Sequence, residues 1–344
     1  MRIAVLGGGN GAFAAAADLT ERGHEVRWWR RDASGLRPRL TLKDADGERA
    51  VAIATCPDIG EAVRGAELVF MPDPAFTQED NAARLAPHLA DDQLVFLAPG
   101  TFGSYLMGSA IRKGIFAETG TLPWLTRKHG PEAVAITTRA TRLPTGVFPA
   151  GKSKEALERI GKVFPVEPVE DALSAALMNA GPIIHPPLIF MNAGPLEHFE
   201  RWDIHKEGTQ PAIRRVTDAL DAERIAAREA LGYKAPHFPL ADHYRTDGDE
   251  WMYGRRVHQK LTDSGDWRER IVLAEHRYMR EDVALGLAFL VSVCEYAGVA
   301  CPVARGLLAL GSAVLGRDLR ATGRTLEKLG LAGLTRDELR RVLT

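Results

Sequence analysis

The first thirty residues restrict the fold more than any other part of the chain. Residues 3–6 are apolar, residues 7–12 read G-x-G-x-x-A, residues 13–22 have helical composition, and residues 25–29 form a second apolar run. A strand, a glycine-rich turn, a helix and a second strand make the β-α-β unit in which a helix N-terminus holds a pyrophosphate. The sequence therefore predicts a dinucleotide-binding domain. In this turn, the residues assigned to the cofactor are Gly7, Gly9, Asn10, Gly11 and Ala12.

The end of the second strand bears on which dinucleotide is bound. NAD sites usually place an acidic residue here for the ribose hydroxyls, whereas the 2′-phosphate of NADP favours a cation. This chain has Arg30 and Arg31 at that point, with Asp32 next. Two guanidinium groups can clamp a phosphate and stack on adenine, so we predict NADP(H), with NAD(H) possible. In the alternative interpretation the arginines are solvated and Asp32 binds the ribose of NAD.

Further apolar runs continue the pattern of a parallel α/β sheet. Strands are predicted over 67–71, 94–97 and 133–137, with an extended piece over 145–150. Helices are predicted over 80–89 and 152–163. Pro99 and Gly100 follow one of these strands, and ligands of open parallel sheets lie beyond the carboxyl ends of the strands. We therefore also assign Pro99 and Gly100 to the cofactor site.

Helical patterns replace strand patterns after the segment 165–168, which we interpret as a domain boundary. Apolar residues recur at helical spacing before Gly232, and residues 283–294 are apolar on nearly all sides, as in a buried central helix. A strand pattern is visible only around 236–240. The prediction is a Rossmann-type α/β domain over 1–168 and an all-α substrate and dimerisation domain over 169–344, with the active site between them.

Composition excludes several classes of partner. The 44 lysines and arginines nearly balance the 45 aspartates and glutamates, so the net charge of −1 gives no field that would attract nucleic acid or a membrane surface. No secretory signal and no apolar stretch of membrane-spanning length are expected. Cys56, Cys294 and Cys301 are widely spaced and odd in number, which argues against a disulfide framework and favours a cytoplasmic protein.

One histidine stands in an unusual setting within the helical domain. Residues 178–194 read MNAGPIIHPPLIFMNAG, which places His185 in an apolar run, directly before Pro186 and Pro187. A core helix has little use for an imidazole, and two prolines disfavour a helix that continues through the site. The pattern indicates that the ring is held there for a purpose, although a lone histidine in an apolar run is more often a satisfied core residue.

Several stretches together resemble the opine dehydrogenase family, of the octopine/nopaline dehydrogenase type. In the helical domain they are residues 179–194, the segment DAER at 221–224 and HRYMREDVALGL at 276–287. In the first domain, PGTFGSYLM at 99–107 and AETGTLPWLTRKHGP at 117–131 are similar to segments of that family. The resemblance spans nearly the whole chain in order. The chain departs from the family at Ala284, where a proline is expected, so the wall of the substrate pocket is expected to differ.

The resemblance implies an NAD(P)H-dependent reductive condensation. An amino acid and a 2-keto acid form an imine, and hydride reduces the imine to a secondary-amine dicarboxylate; a plain amine could replace the amino acid. Family positions imply His185 and Asp282 as the catalytic pair and Arg277 as a substrate contact. Histidine suits proton transfer near neutrality, aspartate can orient it, and arginine offers a bidentate fork for a carboxylate. Asn179 and Asn192 are further candidates for substrate binding.

Structural explanations exist for the other assigned residues. Asp282 could be the N-cap of the apolar helix, and Arg277 could pair with Glu281 on an exposed turn. Asn179 and Asn192 could bind loop backbone instead of substrate. The remaining histidines, among them His198, His205 and His258, look like surface positions, and none has metal-ligand spacing with a supporting carboxylate, so no metal is predicted.

Two other functions are compatible with the same two-domain plan. Ketopantoate reductases and 6-phosphogluconate dehydrogenases resemble it, but they place a catalytic lysine early in the helical domain, and residues 170–184 contain none. A non-enzymatic NADP-binding sensor is the second alternative, and it gives no reason for His185, Arg277 and Asp282 to coincide with family positions. We expect small-molecule substrates and a homodimer formed through the helical domain.

Overall fold

The computed structural model describes residues 1–244, 252–254 and 270–344. It divides into two compact units. The first contains Met1–Ala176, the described residues Met252 and Tyr253, and the last two residues of the chain; the second contains most of the chain from Leu177 to Val342. The division follows Ala176, a few residues after the segment that we interpret as a boundary. Because the last two residues belong to the first unit, that unit contains both ends of the chain.

The strands of the described residues all lie in the first unit, where they form an eight-stranded and a four-stranded sheet. In chain order they are β1 (Arg2–Leu6), β2 (Glu25–Trp29), β3 (Arg39–Asp44), β4 (Gly47–Ala52), β5 (Ala54–Thr55), β6 (Leu68–Met71), β7 (Leu94–Leu97), β8 (Ile115–Thr119), β9 (Trp124–Lys128), β10 (Ala133–Arg139), β11 (Leu143–Phe148) and β12 (Val166–Pro168). The predicted strands at 3–6, 25–29, 67–71, 94–97 and 133–137 are confirmed with small changes of boundary.

The eight-stranded sheet has the order β12-β11-β8-β7-β6-β1-β2-β5 and is parallel except where β11 pairs with β8. Strand β1 pairs in parallel with β2 on one side and with β6 on the other. The strand order therefore reverses at the carboxyl end of β1. In open α/β sheets this switch point is where a ligand binds, and here it coincides with the glycine-rich turn.

Both faces of the eight-stranded sheet are buried, which explains why its central strands are apolar without interruption. Because side chains alternate along a strand, Ile3 and Val5 enter one core while Ala4 and Leu6 enter the other. The first core is rich in aromatic rings, which pack at centroid distances of 4.9 to 5.8 Å. These rings are Phe13, Trp28, Phe70, Phe96, Trp124 and Phe164.

The four-stranded sheet, in the order β4-β3-β10-β9, is held against the first helix of the chain by buried polar contacts. Asp18 is fully buried and accepts hydrogen bonds from Trp124 Nε1 at 3.0 Å and from Arg139 at 2.6 to 2.8 Å. Arg139 also pairs with Asp44 at 2.8 Å. These contacts fix strand β9 alongside the helix that follows the glycine turn.

The predicted boundary segment 165–168 is not a linker. Residues Val166–Pro168 form β12, which pairs in parallel with β11 at the edge of the large sheet. Edge strands tolerate proline because one side of the strand needs no ladder hydrogen bonds. The segment therefore forms the edge of the first unit's sheet, and the division of the chain follows at Ala176.

The α-helices of the first unit flank the sheet. They are α1 (Asn10–Glu21), α2 (Ile59–Val63), α3 (Gln78–Leu85), α4 (Gly103–Ile111), α5 (Ser153–Ile160) and α6 (Ala172–Ala176). Short 3₁₀ turns cover Ala33–Gly35, Ala75–Thr77 and Ala150–Lys152.

Helices account for the regular structure of the second unit's described residues. They are α7 (Gly181–Met191), α8 (Ala193–His198), α9 (Pro211–Ala230), a 3₁₀ turn Leu240–Tyr244, a π-helix Tyr278–Leu287, α10 (Ala288–Ala297), α11 (Pro302–Leu315), α12 (Leu319–Thr322) and α13 (Arg336–Leu343). The suggestion of a strand around 236–240 is wrong, because a 3₁₀ turn begins there at Leu240. The predicted fold class, an α/β Rossmann-type domain followed by an all-α domain, is confirmed.

The DAER segment of α9, residues 221–224, stabilises the packing of α9 against neighbouring segments. Arg224 is buried, pairs with Asp221 at 2.6 Å and donates to the carbonyl oxygens of Leu177 and His237, each at 3.0 Å. Glu223 accepts hydrogen bonds from the amides of Val303 and Ala304 at 2.8 and 2.9 Å, which caps α11. Buried charges at these positions join α9 to the residues before α7 and to the start of α11.

The expectation that no apolar stretch reaches membrane-spanning length is wrong. Residues Ala172–Met191 are long and apolar enough to cross a membrane by length and composition. However, 78% of an apolar 18-residue segment within this stretch is buried inside the protein. Such burial is typical of a core helix, which passes the same test.

Candidate active site

The glycine turn leads directly from β1 into α1. Gly7 has a φ of +133°, a conformation that side chains other than glycine rarely adopt, and a Cβ there would collide with Asp73. Its carbonyl oxygen accepts a hydrogen bond from Trp28 Nε1 at 2.9 Å. A Cβ on Gly9, the N-cap of α1, would meet nothing within 4 Å, so the face above the helix N-terminus is open.

The remaining residues of the turn are closely packed. A Cβ on Gly11 would lie 2.7 Å from Leu122 and 2.8 Å from Pro72, and Ala12 is fully buried. The side chain of Asn10 accepts a hydrogen bond from the backbone of Lys128 at 3.0 Å. Gly11 and Ala12 therefore allow close packing, and Asn10 connects the turn to β9.

The two arginines after β2 have different surroundings. The guanidinium of Arg30 lies over the turn, with Nε 3.1 Å from the position of a Cβ on Gly8, and donates to the carbonyl of Gly35 at 3.1 Å. Arg31 instead pairs with Asp80. Asp32 accepts hydrogen bonds from the amide and hydroxyl of Ser34 at 3.1 and 2.6 Å, which lower the pKa of Asp32. Asp32 therefore caps a short turn.

Pro99 and Gly100 lie in a loop that is held from below by a buried carboxylate. A Cβ on Gly100 would collide with Glu118, and the Gly100 carbonyl accepts a hydrogen bond from Gln78 at 2.8 Å. Glu118 is fully buried and accepts hydrogen bonds from the amides of Phe102 and Ser104, both at 2.7 Å. Glu118 was not predicted from the sequence, although a glutamate inside an apolar run is a signal of a special role.

These features fit a dinucleotide. The turn lies at the switch point of the sheet, its helix N-terminus is open above Gly9, and a guanidinium lies over Gly8. The diphosphate would lie on the amides at the start of α1, and Arg30 would face the adenosine ribose.

His185 lies in the middle of α7, which continues through Pro186 and Pro187. The expectation that these prolines would end the helix is wrong. Each proline lacks an amide donor and costs about 3 kcal/mol in a helix interior. Both prolines are buried against the core, as are Leu188 and Ile189, and this burial offsets the lost hydrogen bonds.

Asp282 lies beside His185. His185 Nδ1 is 2.8 Å from Asp282 Oδ2, and their side chains are 14% and 5% exposed. Burial raises the pKa of Asp282 to about 7, opposed by the smaller effects of the Arg277 and His276 charges. A Cβ on Gly181 would collide with Asp282, so the glycine that begins α7 makes room for this carboxyl group.

Asp282 is not the N-cap that sequence analysis considered. It lies inside the π-helix Tyr278–Leu287, whose N-cap position is Arg277. The π-helix begins at Tyr278, before the apolar run 283–294. Its first residues include both buried and charged side chains, so the apolar pattern does not mark its start. A π-helical segment is rare and is often found at functional sites.

Two further rings surround His185 that sequence analysis did not predict. Tyr278 stacks on the imidazole, with centroids 3.7 Å apart and planes at 15°, and is 1% exposed. The ring of His205 meets His185 edge-on at 6.2 Å. His205 was interpreted as a surface residue, which is wrong because it is partly buried beside His185. His198 is exposed as predicted, and His258 lies outside the described residues.

Arg277 lies at the edge of this cluster. Its guanidinium is 5.0 Å from the centroid of the Tyr278 ring and 3.5 Å from Glu281. The Arg277 side chain is 42% exposed, whereas Glu281 is buried. The ion pair of Arg277 with Glu281 that was considered from the sequence is therefore present, but only Arg277 is exposed to solvent.

The two asparagines bond to nearby protein groups. Asn179 accepts a hydrogen bond from the amide of Gly181 at 3.0 Å, at the start of α7. Asn192 is buried, donates to the carbonyls of Leu188 and Gly208 at 2.8 and 3.1 Å, and accepts from Trp202 Nε1 at 2.9 Å. Since both ends of its amide are engaged, Asn192 supports the loop that carries His205.

The described residues contain no group of three or more His, Cys, Asp or Glu side chains that could hold a metal ion. The absence of a metal stays a prediction.

Comparison with known proteins identifies the family. The family model described as NAD/NADP octopine/nopaline dehydrogenase, alpha-helical domain, matches residues 168–315. The chain is 30% identical over 353 residues to an opine dehydrogenase of Arthrobacter sp. (strain 1C), covering 96% of each protein. The chain belongs to the octopine/nopaline dehydrogenase family. The family predicted from sequence and the class of NAD(P)-dependent oxidoreductase are thereby confirmed.

Solved structures agree with this family at the level of fold. A structure of octopine dehydrogenase in complex with NADH and agmatine has a TM-score of 0.74 and 20% identity, covering 98% of each chain. A ketopantoate reductase from Ralstonia eutropha JMP134 has a TM-score of 0.63 and 18% identity, covering 92% of this chain and 99% of its own. The ketopantoate reductases, which were considered as an alternative from the sequence, thus share the fold with the octopine/nopaline dehydrogenase family. The similarity in sequence favours the opine dehydrogenases.

Proposed function

We propose that this protein joins an amino acid to a 2-keto acid by reductive condensation. One amino acid, one 2-keto acid, one NAD(P)H and one proton give a secondary-amine dicarboxylate, NAD(P)⁺ and water. The observation that carries the proposal is the contact of His185 with the buried Asp282, 2.8 Å apart, in a chain of this family. The bound dinucleotide supplies the hydride.

His185 is the proposed proton donor and acceptor. Loss of water from the carbinolamine and reduction of the imine both require a group that exchanges protons near neutrality. With Nδ1 bonded to Asp282, we assign proton exchange with the substrate to Nε2. The stacked ring of Tyr278 fixes the plane of the imidazole and therefore the direction of Nε2.

Asp282 is proposed to hold this imidazole in one tautomer. When ionised, it accepts the Nδ1 proton, so that Nε2 can act as a base toward the opine during oxidation. It also stabilises the imidazolium form, which is the acid needed for condensation.

Arg277 is proposed to bind a substrate carboxylate. Its half-exposed guanidinium contacts Tyr278, which in turn stacks on His185, so a carboxylate held there would lie near the imidazole. The contact between Arg277 and Glu281, at 3.5 Å, is long for a charge-assisted hydrogen bond.

Arg277→Lys should raise KM for one of the two substrates about tenfold, because lysine keeps the charge but cannot form a bidentate pair. Initial rates over a matrix of both substrates would measure it. Arg280→Lys, on the same helix, is the matched control. Unchanged KM values for both substrates would assign Arg277 to a structural ion pair with Glu281.

NADP(H) is the proposed preferred cofactor, with NAD(H) as the alternative. The support is the position of Arg30 over Gly8 at the end of β2, together with the engagement of Asp32 by Ser34. A ribose-binding acid is expected to point its carboxylate at the cofactor, and both Asp32 hydrogen bonds are local.

Consumption of NADPH and NADH across a grid of amino acids, amines and 2-keto acids tests the proposed reaction. Agmatine belongs in the grid because the octopine dehydrogenase neighbour was solved with it. Turnover that requires both partners is expected. Turnover with a keto acid alone would indicate a ketopantoate-type reductase, and cofactor binding without turnover in any combination would indicate a sensor.

We further propose a cytoplasmic homodimer formed through the helical domain. Three cysteines, all free and buried, support a reducing compartment. On α11, Leu310 and Val314 are 53% and 44% exposed one turn apart, which supports a contact surface there. Sedimentation velocity should give a dimer mass, and a monomer at micromolar concentration would contradict the proposal.

A further inference from the structure

Lys128, the last residue of β9, reaches the glycine turn from a different sheet. Its amide donates to Asn10 Oδ1 at 3.0 Å, and its ammonium Nζ donates to the Gly8 carbonyl at 3.2 Å. The same ammonium lies 4.8 Å above the ring of Phe13 in α1. Backbone and side-chain contacts together place this cation at the second residue of the turn.

Arg30 approaches Gly8 as well. Its guanidinium atoms lie 3.1 to 3.4 Å from the position of a Cβ on Gly8. The charge of Arg30 is close enough to Lys128 to lower the pKa of that lysine, after the larger effect of partial burial. Two positive charges are therefore held near one backbone residue, an arrangement that costs free energy unless an anion joins them.

Within the part of the chain that the structure describes, no carboxylate forms an ion pair with Arg30 or Lys128, although Asp32 lies near enough to Arg30 for the charge of Arg30 to lower the pKa of Asp32. The polar partners of Arg30 and Lys128 there are a carbonyl oxygen of Gly35, a carbonyl oxygen of Gly8 and the amide oxygen of Asn10. Arg31 differs, because it forms an ion pair with Asp80, which also pairs with Arg84 at 3.1 Å. Among the described residues, Arg30 and Lys128 are thus the cations beside the glycine turn that have no ion-pair partner.

We propose that Lys128 and Arg30 together bind the 2′-phosphate of NADP(H), and that Arg31 does not. The adenosine ribose lies at the carboxyl end of the second strand of such a domain, where Arg30 follows β2. A 2′-phosphate there carries charge that both cations can share through charge-assisted hydrogen bonds. The inference rests on the proposed preference for NADP(H), and it assigns part of that preference to a residue outside the β-α-β unit.

Equilibrium binding tests the assignment without turnover. Dissociation constants for NADPH, NADH and adenosine 2′,5′-bisphosphate would be measured by titration calorimetry on the full-length protein. Lys128→Met removes the charge and keeps an unbranched stem over Phe13. It should weaken NADPH and the bisphosphate on the order of 10- to 100-fold, with a change of less than about threefold for NADH.

Three variants complete the test. Arg30→Met should resemble Lys128→Met, Lys128→Arg should keep most of the NADPH affinity, and Arg31→Met should change it little. Thermal unfolding of each variant would verify the fold.

The outcomes distinguish the proposed preference for NADP(H) from the assignment of Lys128 to the 2′-phosphate. If the wild-type protein binds NADH as tightly as NADPH, the proposed NADP preference is wrong and this inference falls with it. If the wild type prefers NADPH but Lys128→Met retains that preference, only the assignment of Lys128 is overturned. Equal weakening of both cofactors would also overturn it, because Lys128 would then act on the part that the two cofactors share.

Discussion

Replacing His185 with alanine lowers kcat by about 10² to 10⁴-fold while the second unit stays folded. The loss is expected because proton transfer by a positioned imidazole contributes to both dehydration and reduction. The ring is 14% exposed and lies inside α7 between the contacts of Asp282 and Tyr278, so alanine leaves the helix intact. Steady-state rates in both reaction directions, with single-turnover rates, would measure the effect.

His198→Ala is the matched control for this substitution. His198 ends α8 in the same unit, and it is exposed. Its replacement should leave kcat within about twofold of the wild-type value, since exposed substitutions rarely perturb a fold. Exogenous imidazole should restore part of the activity of His185→Ala and none of the activity of a variant that is misfolded. Wild-type turnover by His185→Ala would remove the histidine from the mechanism.

The parts of the fold that were predicted from sequence are those where local pattern and burial agree. Strands β6 and β7 are buried on both faces, so each is an unbroken apolar run. Strands β3 and β4 were not predicted because they alternate polar and apolar residues in a small sheet, and many of their residues are charged. The prolines of α7 were interpreted by a local rule, which tertiary packing overrides.

The residues of the candidate site could be predicted to act together only where the family resemblance assigned them as a pair. His185 and Asp282 are 97 residues apart in the chain, so no local spacing predicts that they meet. The stacking of Tyr278 on His185 and the approach of Lys128 to Gly8 depend on how helices and sheets pack, which periodicity does not encode. The glycines of the turn were easier to interpret, because the strand, the G-x-G-x-x-A turn and the helix follow one another in the chain. In the structure a side chain at Gly7 or Gly11 would collide with a neighbour.

Replacing Asp282 with asparagine should lower kcat on the order of 10²-fold or more. Asparagine has nearly the same shape, so the contact with His185 Nδ1 can persist, but its amide can donate to Nδ1. The imidazole would then carry its proton on Nε2 and could not act as a base there. Steady-state rates of opine oxidation would show the largest loss, because that direction begins with proton removal.

Cofactor affinity is the control for Asp282→Asn. Asp282 is proposed to act on His185 and not on the dinucleotide, so the dissociation constant for NADPH should stay within about threefold of the wild-type value. A kcat within about threefold of the wild type would contradict the proposed role of the carboxylate. A loss of cofactor binding together with kcat would point to a general structural defect.

The same substitution changes how stability depends on pH. Burial raises the pKa of Asp282 from its ordinary value of 3.8 to about 7, so between these values the folded protein holds a proton that the unfolded chain has released. The contribution of this carboxyl to stability is therefore complete below the unfolded value and is lost as pH rises through about 7.

An asparagine at this position cannot titrate, so the unfolding free energy of the wild type should fall relative to that of Asp282→Asn between about pH 5 and about pH 8. Urea unfolding of both proteins at these two pH values measures the difference. A constant difference would mean that His185 keeps Asp282 ionised throughout this range, because a charged imidazole 2.8 Å away would then outweigh the burial of the carboxyl group.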